Sequence, residues 1–193
     1  MKNALIFENT SPNQWVVASK SLGILKEYYT KSKIKFTKSI VAPSLLEGMI
    51  YGYFDGASHF GHYESGICLY ISSSHWFHVW MGCGSGTNTR AELFSLWGFM
   101  IVAYNKNILS LQVFEDSHVI ADWATRRSTL MVVELCHQCA MIKLLQSSFE
   151  KVFFKHTYRK FNVVTDRLSK KALGLQEGRL FYEEFCDNFV LST

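Results

Sequence analysis

Between residues 49 and 82 lie three runs, "MIYGYFD", "SGICLYIS" and "WFHVWMG", rich in aromatic and β-branched residues and separated by polar, turn-prone stretches. Runs of this kind favour strands, and their short spacing predicts three consecutive antiparallel strands. The next segment, "TNTRAELFSLWGFMIVAYN", changes period. Its Leu93, Leu96, Trp97, Met100, Ile101 and Tyr104 recur on one helical face, with Thr87 or Asn88 as the N-cap. "ILSLQVF" then reads as a strand, "SHVIADWAT" as a short helix and "LMVVELCHQCAMIKLLQSS" as a longer one. "KVFFKH" is a fifth strand, and "VVTDRLSKKAL" a final helix stopped by Gly174. The order βββ-α-β-α-α-β-α predicts an α/β fold: a mixed five-stranded sheet with helices on its faces. Strands four and five join it in parallel through right-handed crossovers.

The 193 residues suffice for one full domain and a short appendage, and a mean hydropathy of +0.04 suits a globular core. We divide the chain into a basic N-terminal appendage and linker (1–47), the patterned domain (48–174) and a C-terminal tail (175–193). Residues 1–40 hold seven lysines against Glu8 and Glu27, whereas the remainder is nearly balanced. That excess reads as a solvated surface or as general attraction to a polyanion. Within the appendage, "SPNQWVVASKSLGILKEYYTKSKIKF" has the pattern of a basic amphipathic helix weakened by Gly23, followed by the linker "TKSIVAPSLLEG". No apolar run is long enough to span a membrane. The start "MKNALIFENTSPNQ" lacks the pattern of a secretory leader, and five cysteines without framework spacing suit a reducing compartment, nucleus or cytoplasm.

Four acids stand where this layout brings chain ends together. Asp55 closes the first strand in "YGYFDGAS", and Glu92 falls in the first turn of the long helix in "TNTRAEL". Asp116 ends the fourth strand in "LQVFEDS", and Asp166 opens the last helix. Singly, each is an ordinary turn or helix-start acid. Gathered, they would repel one another unless a cation neutralised them, and hard divalent ions are bound through carboxylates and substrate phosphates.

The motifs "YFDGAS", "GTNTRAELFSLWG", "FEDSHVIADW" and "HTYRKFNVVTDRLSKKAL" resemble, in order and approximate spacing, those of ribonuclease H type 1 domains. They look most like the plant retroelement-related branch, over about residues 48–174. The resemblance implies a ribonuclease H-like fold and Asp55, Glu92, Asp116 and Asp166 as ligands of two Mg²⁺ ions, with Mn²⁺ as a substitute. It implies hydrolysis of the RNA strand of RNA–DNA hybrids, leaving 3′-hydroxyl and 5′-phosphate ends. His156, ten positions before Asp166, would assist proton transfer or product departure, which suits an imidazole near neutral pH. Asn88 and Thr89 would touch the RNA strand in the minor groove, and His118 stands where many relatives read that groove with glutamine. Asn162 would support the last loop. The resemblance further implies a monomer that binds nucleic acid, with no membrane and no small-molecule cofactor.

Several departures stand beside it. "HFGHYES" replaces a glycine- and proline-containing turn, Glu115 precedes Asp116, and only "TRRST" separates the middle helices, so a basic handle helix is missing. Arg126, Arg127 or the lysine-rich arm would compensate. The alternative is a catalytically weak or inactive retroelement-derived nucleic-acid-binding domain. Two other readings rank lower. The glycines of "MGCGSGTNTR" lack an acid at dinucleotide spacing and follow the wrong prelude of strands. The pairs His59/His62, His75/His78 and Cys136/Cys139 form no complete zinc set.

Overall fold

The computed structural model describes residues 42–59, 61–130, 132–187 and 189–192. The basic appendage up to residue 41 lies outside the described residues. Strands β1 (Ile50–His59), β2 (His62–Tyr70) and β3 (His75–Gly84) form an antiparallel meander. Helix α1 (Asn88–Asn105) follows, then β4 (Ser110–Glu115), α2 (His118–Ala124), α3 (Cys136–Gln146), β5 (Lys151–His156) and α4 (Val163–Lys171). Both β4 and β5 join in parallel, which puts β1 beside β4 near the sheet centre as the connections require.

The C-terminal residues correct the strand count. β6 (Leu180–Cys186) pairs with β3, and β7 (Phe189–Ser192) pairs with β6, so the sheet has seven strands in the order β5-β4-β1-β2-β3-β6-β7. "LFYEEFC" mixes aromatics with two adjacent acids and so hides its alternation. The acids are satisfied from outside the strand: Glu183 by Lys171 at 2.6 Å and Glu184 by His75 at 2.8 Å.

The larger core lies between the sheet and the α1–α3 layer, where Phe54, Ile67, Leu69, Phe99, Leu111 and Val113 are fully buried. A smaller one, built on Cys68, Trp80, Leu168 and Ala172, holds α4 to the opposite face. The buried stripe of α1 is rotated from the expected one. Leu93, Leu96 and Met100 are buried as expected, but Tyr104 is exposed, while Ala91, Ser95, Gly98, Phe99 and Ala103 are buried. Small residues bring the helix close to the sheet, and a pattern read from large apolar side chains overlooks them.

Two glycines fix how near the helices come to Asp55. A Cβ on Gly56 would stand 2.3 Å from the Ala91 carbonyl carbon and 2.3 Å from the Glu92 nitrogen, so this glycine admits the start of α1. Gly66 pairs across β2 with Asp55, and a Cβ there would meet the Thr165 oxygen at 2.0 Å and the Ser169 nitrogen at 2.6 Å. Helix α4 therefore closes on the other face of the same strand pair. Gly66→Ala is expected to destabilise the domain by about 1–3 kcal/mol through overpacking, read as a lower urea midpoint. Gly98→Ala, whose Cβ would meet side-chain ends alone, Met81 Cε at 3.1 Å and Ile67 Cδ1 at 3.4 Å, is expected to cost less.

Candidate carboxylate cleft

Asp55 sits within β1 rather than at its end, because β1 and β2 stay paired out to His59 and His62. "HFGHYES" is thus the tip of a hairpin, turned at Gly61 with φ of 81°, rather than a loop over the cleft. Glu92 lies just beyond the first turn of α1, one step later than expected. The start of that helix is set by Thr87, whose hydroxyl accepts from the Arg90 N–H at 3.3 Å. Ser95 holds the next turn, its hydroxyl 2.9 Å from both the Asp55 and the Ala91 carbonyl oxygens. Asp116 is the first residue beyond β4, and Asp166 lies in the first turn of α4.

These four carboxylates line one cleft together with Gly56, Ala57, Ser58, Asn88, Ser117, Arg159 and Lys170. Burial, then the neighbouring Asp116 and Asp166, push the Asp55 carboxyl up to about 6. Glu92 is pushed up to about 7 by burial, opposed by a hydrogen bond with Ser117 and reinforced by Asp55 and Asp116. Asp166 behaves oppositely. Lys170 Nζ donates to it at 2.6 Å and Arg159 lies 3.6 Å away, and these cations hold its carboxyl below the ordinary range.

Glu115, the acid just before Asp116, is enclosed. It points inward, only 1% exposed, and accepts the Ser117 N–H at 2.8 Å, while its second carboxylate oxygen has no partner. Desolvation holds its carboxyl well above the usual carboxylate range.

The other expected site residues divide. Asn88 faces the cleft, whereas Thr89 is half-buried and is not among the lining residues. His156 ends β5 beside the cleft, its Nε2 3.2 Å from the Asp116 carbonyl oxygen. A carbonyl only accepts, so Nε2 carries the proton of this contact. The ring of His118 stacks on that of His156 at 3.5 Å and 10°. Asn162 does more than support a loop. Its amide donates to the Phe54 carbonyl at 2.9 Å and reaches Asp116 Oδ1 at 3.4 Å, and the Thr165 hydroxyl bonds its carbonyl at 2.8 Å. It therefore ties β1, Asp116 and α4 together. Arg159 and Lys170 were not singled out by sequence, although a lysine four residues after a helix-start aspartate was a readable signal.

The donor set suits a hard divalent cation: clustered carboxylate oxygens whose mutual repulsion asks for positive charge. Among the described residues, no group of three His, Cys, Asp or Glu side chains already stands in ligating positions. The zinc candidates are used otherwise, His75 on Glu184 and His78 against the Phe185 ring at 4.8 Å.

A meander with two parallel strands added beside β1, and acids from four segments in one cleft, define a ribonuclease H-type α/β domain. Residues 53–172 match the reverse transcriptase-like family, and the chain belongs to it, as a domain of the ribonuclease H type 1 kind. No match is found among curated proteins. Among solved structures, RNase H1 from the halophilic archaeon Halobacterium salinarum NRC-1 is similar with a TM-score of 0.61 and 22% identity. That match covers 65% of this chain and 98% of that one. LC11-RNase H1, solved in complex with an RNA/DNA hybrid, gives 0.59 and 19%, covering 64% and 96%. The N-terminal RNase H domain of a Mycobacterium tuberculosis protein gives 0.57 and 19%, covering 64% and 94%.

Raised carboxyl groups take up protons on folding, so their cost is full above the folded values and vanishes as pH falls toward the unfolded ones. Asp55, Glu92 and Glu115 should make the metal-free protein more heat-stable as pH is lowered from 8 to 5. Asp166, held low, loses its contribution only below about 4, and His78, lowered by burial, opposes the gain below its usual range. Calorimetry should show a rise of several degrees over that window, smaller in Glu92→Gln, and Mg²⁺ should reduce it by stabilising the protein most at pH 8.

Proposed function

We propose that this domain is a divalent-metal-dependent endonuclease that hydrolyses the RNA strand of RNA–DNA hybrids. The observation that carries this reading is the meeting of Asp55, Glu92, Asp116 and Asp166, from four separate segments, in one cleft. These are the residues that would hold two Mg²⁺ ions, or Mn²⁺ in their place. When bound, the ions would polarise the scissile phosphodiester and make water a competent nucleophile at neutral pH.

The chain's own residues supply the rest. Asn88, at the start of α1, offers amide groups to the minor groove, where a 2′-hydroxyl distinguishes RNA from DNA. Thr89, the next residue of α1, and His118 would join it in contacting the substrate. Arg159 and Lys170 bring positive charge to the cleft wall, where phosphates would pass. His156 keeps Nε2 on the Asp116 carbonyl and has Nδ1 free to take a proton at product departure, while His118 fixes its ring by stacking. Asn162 orients Asp116 from behind. In this reading residues 48–174 are the catalytic domain of a monomer of retroelement descent, working in the nucleus or cytoplasm, where unpaired cysteines persist.

A second reading has its own support. Asp166 is already neutralised by two cations, which suits a domain that keeps the fold and binds nucleic acid with weak or no cleavage. Purified protein assayed on an RNA–DNA hybrid with Mg²⁺ separates the two. Cleavage is expected, confined to the RNA strand, and reduced at least about a hundredfold in Asp116→Asn. Tight binding of hybrid with no cleavage in either Mg²⁺ or Mn²⁺ would overturn the nuclease reading in favour of the second.

A further inference from the structure

The cysteines are all free thiols, and they differ in what can reach them. Cys68 and Cys83 are each 1% exposed, and burial pushes both thiols up to about 12, so they are closed to reagents in solution. Cys186 stands alone on β6. Cys136 and Cys139 are different, because they share one face of α3. Cys136 is exposed and is the first residue of that helix. Cys139, 8% exposed, lies one turn behind it against the larger core.

Residues three apart on an α-helix have Cα atoms about 5 Å from one another, within the span that a disulfide bridges. Cys136 follows a single 3₁₀ turn, Val133–Leu135, so closing a bond there would disturb only the first turn of α3. Both cysteines line one cavity of about 520 Å³ between α2 and α3, together with Trp123, Arg126 and Lys143. Lys143 Nζ stands 5.7 Å from the centre of the Trp123 ring. Among the described residues no acid lines this cavity, and it shares no residue with the carboxylate cleft.

We propose that Cys136 and Cys139 form a thiol–disulfide exchange site that takes a small anionic disulfide of the glutathione class and closes to an internal disulfide. Cys136, the thiol open to solvent, gives up its proton and attacks one sulfur of the small disulfide. That S–S bond breaks, one small thiolate leaves with the electron pair and is protonated, and a mixed disulfide remains on Cys136. Cys139 then gives up its proton and attacks the Cys136 sulfur, which releases the second small thiol. The two protein thiols have lost two electrons, and the small disulfide has gained them. Burial raises the Cys139 thiol, Lys143 one turn along favours its thiolate, and Cys136 is near enough to raise it further. Arg126 and Lys143 receive the carboxylates of the reagent while its sulfurs lie at Cys136.

The reduced full chain, exposed to oxidised glutathione, quenched in acid, unfolded, alkylated and mapped by peptide mass spectrometry, tests this without reference to nucleic acid. Wild type is expected to yield a Cys136–Cys139 disulfide that reduced glutathione reopens, while Cys68, Cys83 and Cys186 are recovered as thiols. In Cys139→Ser and Cys139→Ala the reaction should stop with glutathione on Cys136, and in Cys136→Ser the Cys139 thiol should stay free. In the Cys139→Ser background, where only the first step remains, Lys143→Gln and Arg126→Gln should each slow the reaction about fivefold. That is the worth in water of a unit charge about 4 Å from a carboxylate. Reaction with uncharged hydroxyethyl disulfide should not slow. A wild type that keeps glutathione on Cys136, that links only between chains, or that does not react overturns the exchange site. Equal slowing with both reagents overturns its preference for an anionic disulfide.

Discussion

The site depends on how closely two helices approach one strand pair at a single level. Gly56 lets the backbone of α1 touch β1 on one face, and Gly66, opposite Asp55, lets α4 touch β2 on the other. Because the missing side chains leave no space behind them, neither helix can slide without a backbone clash. Glu92 and Asp166 ride on those helices, so the same contacts that pack the fold also bring the acids of distant segments to Asp55. Ser95 and Asn162 complete the arrangement by bonding the carbonyls of Asp55 and Phe54. Cleft geometry and core packing are here one set of constraints.

What that packing creates is electrostatically costly. Carboxylates forced together in a half-buried cleft become weaker acids, as Asp55 and Glu92 do, and the fully enclosed Glu115 more so. Lys170 and Arg159 pair with Asp166 and ease Asp55 as well. A site that is stable when empty would show neither crowding nor raised carboxyls, and such tension is characteristic of clefts made to receive charge.

Much of this was legible in the residues. The change from strand to helix pattern after residue 82 gives the meander and α1, and the four acids stand out because each closes or opens a strongly patterned run of the sequence. The failures have physical causes. β6 is hidden because Glu183 and Glu184 interrupt its apolar pattern, and their partners, Lys171 and His75, lie outside the strand, 12 and 109 residues away. The buried face of α1 was misjudged because glycine, alanine and serine at the interface carry little hydrophobic signal. The stacking of His118 on His156 joins residues 38 positions apart, a relation that no local pattern expresses. Nor could local pattern tell that Glu115 turns inward and Asp116 outward, since both orders read alike until the register of β4 with β5 is fixed.

The two margins of the sheet are dressed differently. β5 ends it with Lys151 and Lys155 in a six-residue strand, and lysines on a margin discourage another strand from adding. β7 ends it on the other side with Phe189 and Val190, 74% and 57% exposed, and with no charged residue in the strand. Growth of the sheet by a foreign or identical strand is therefore one-sided. Concentrated preparations of this domain should be guarded at the C-terminal margin, where a single charged substitution would serve the purpose that lysine already serves on the other.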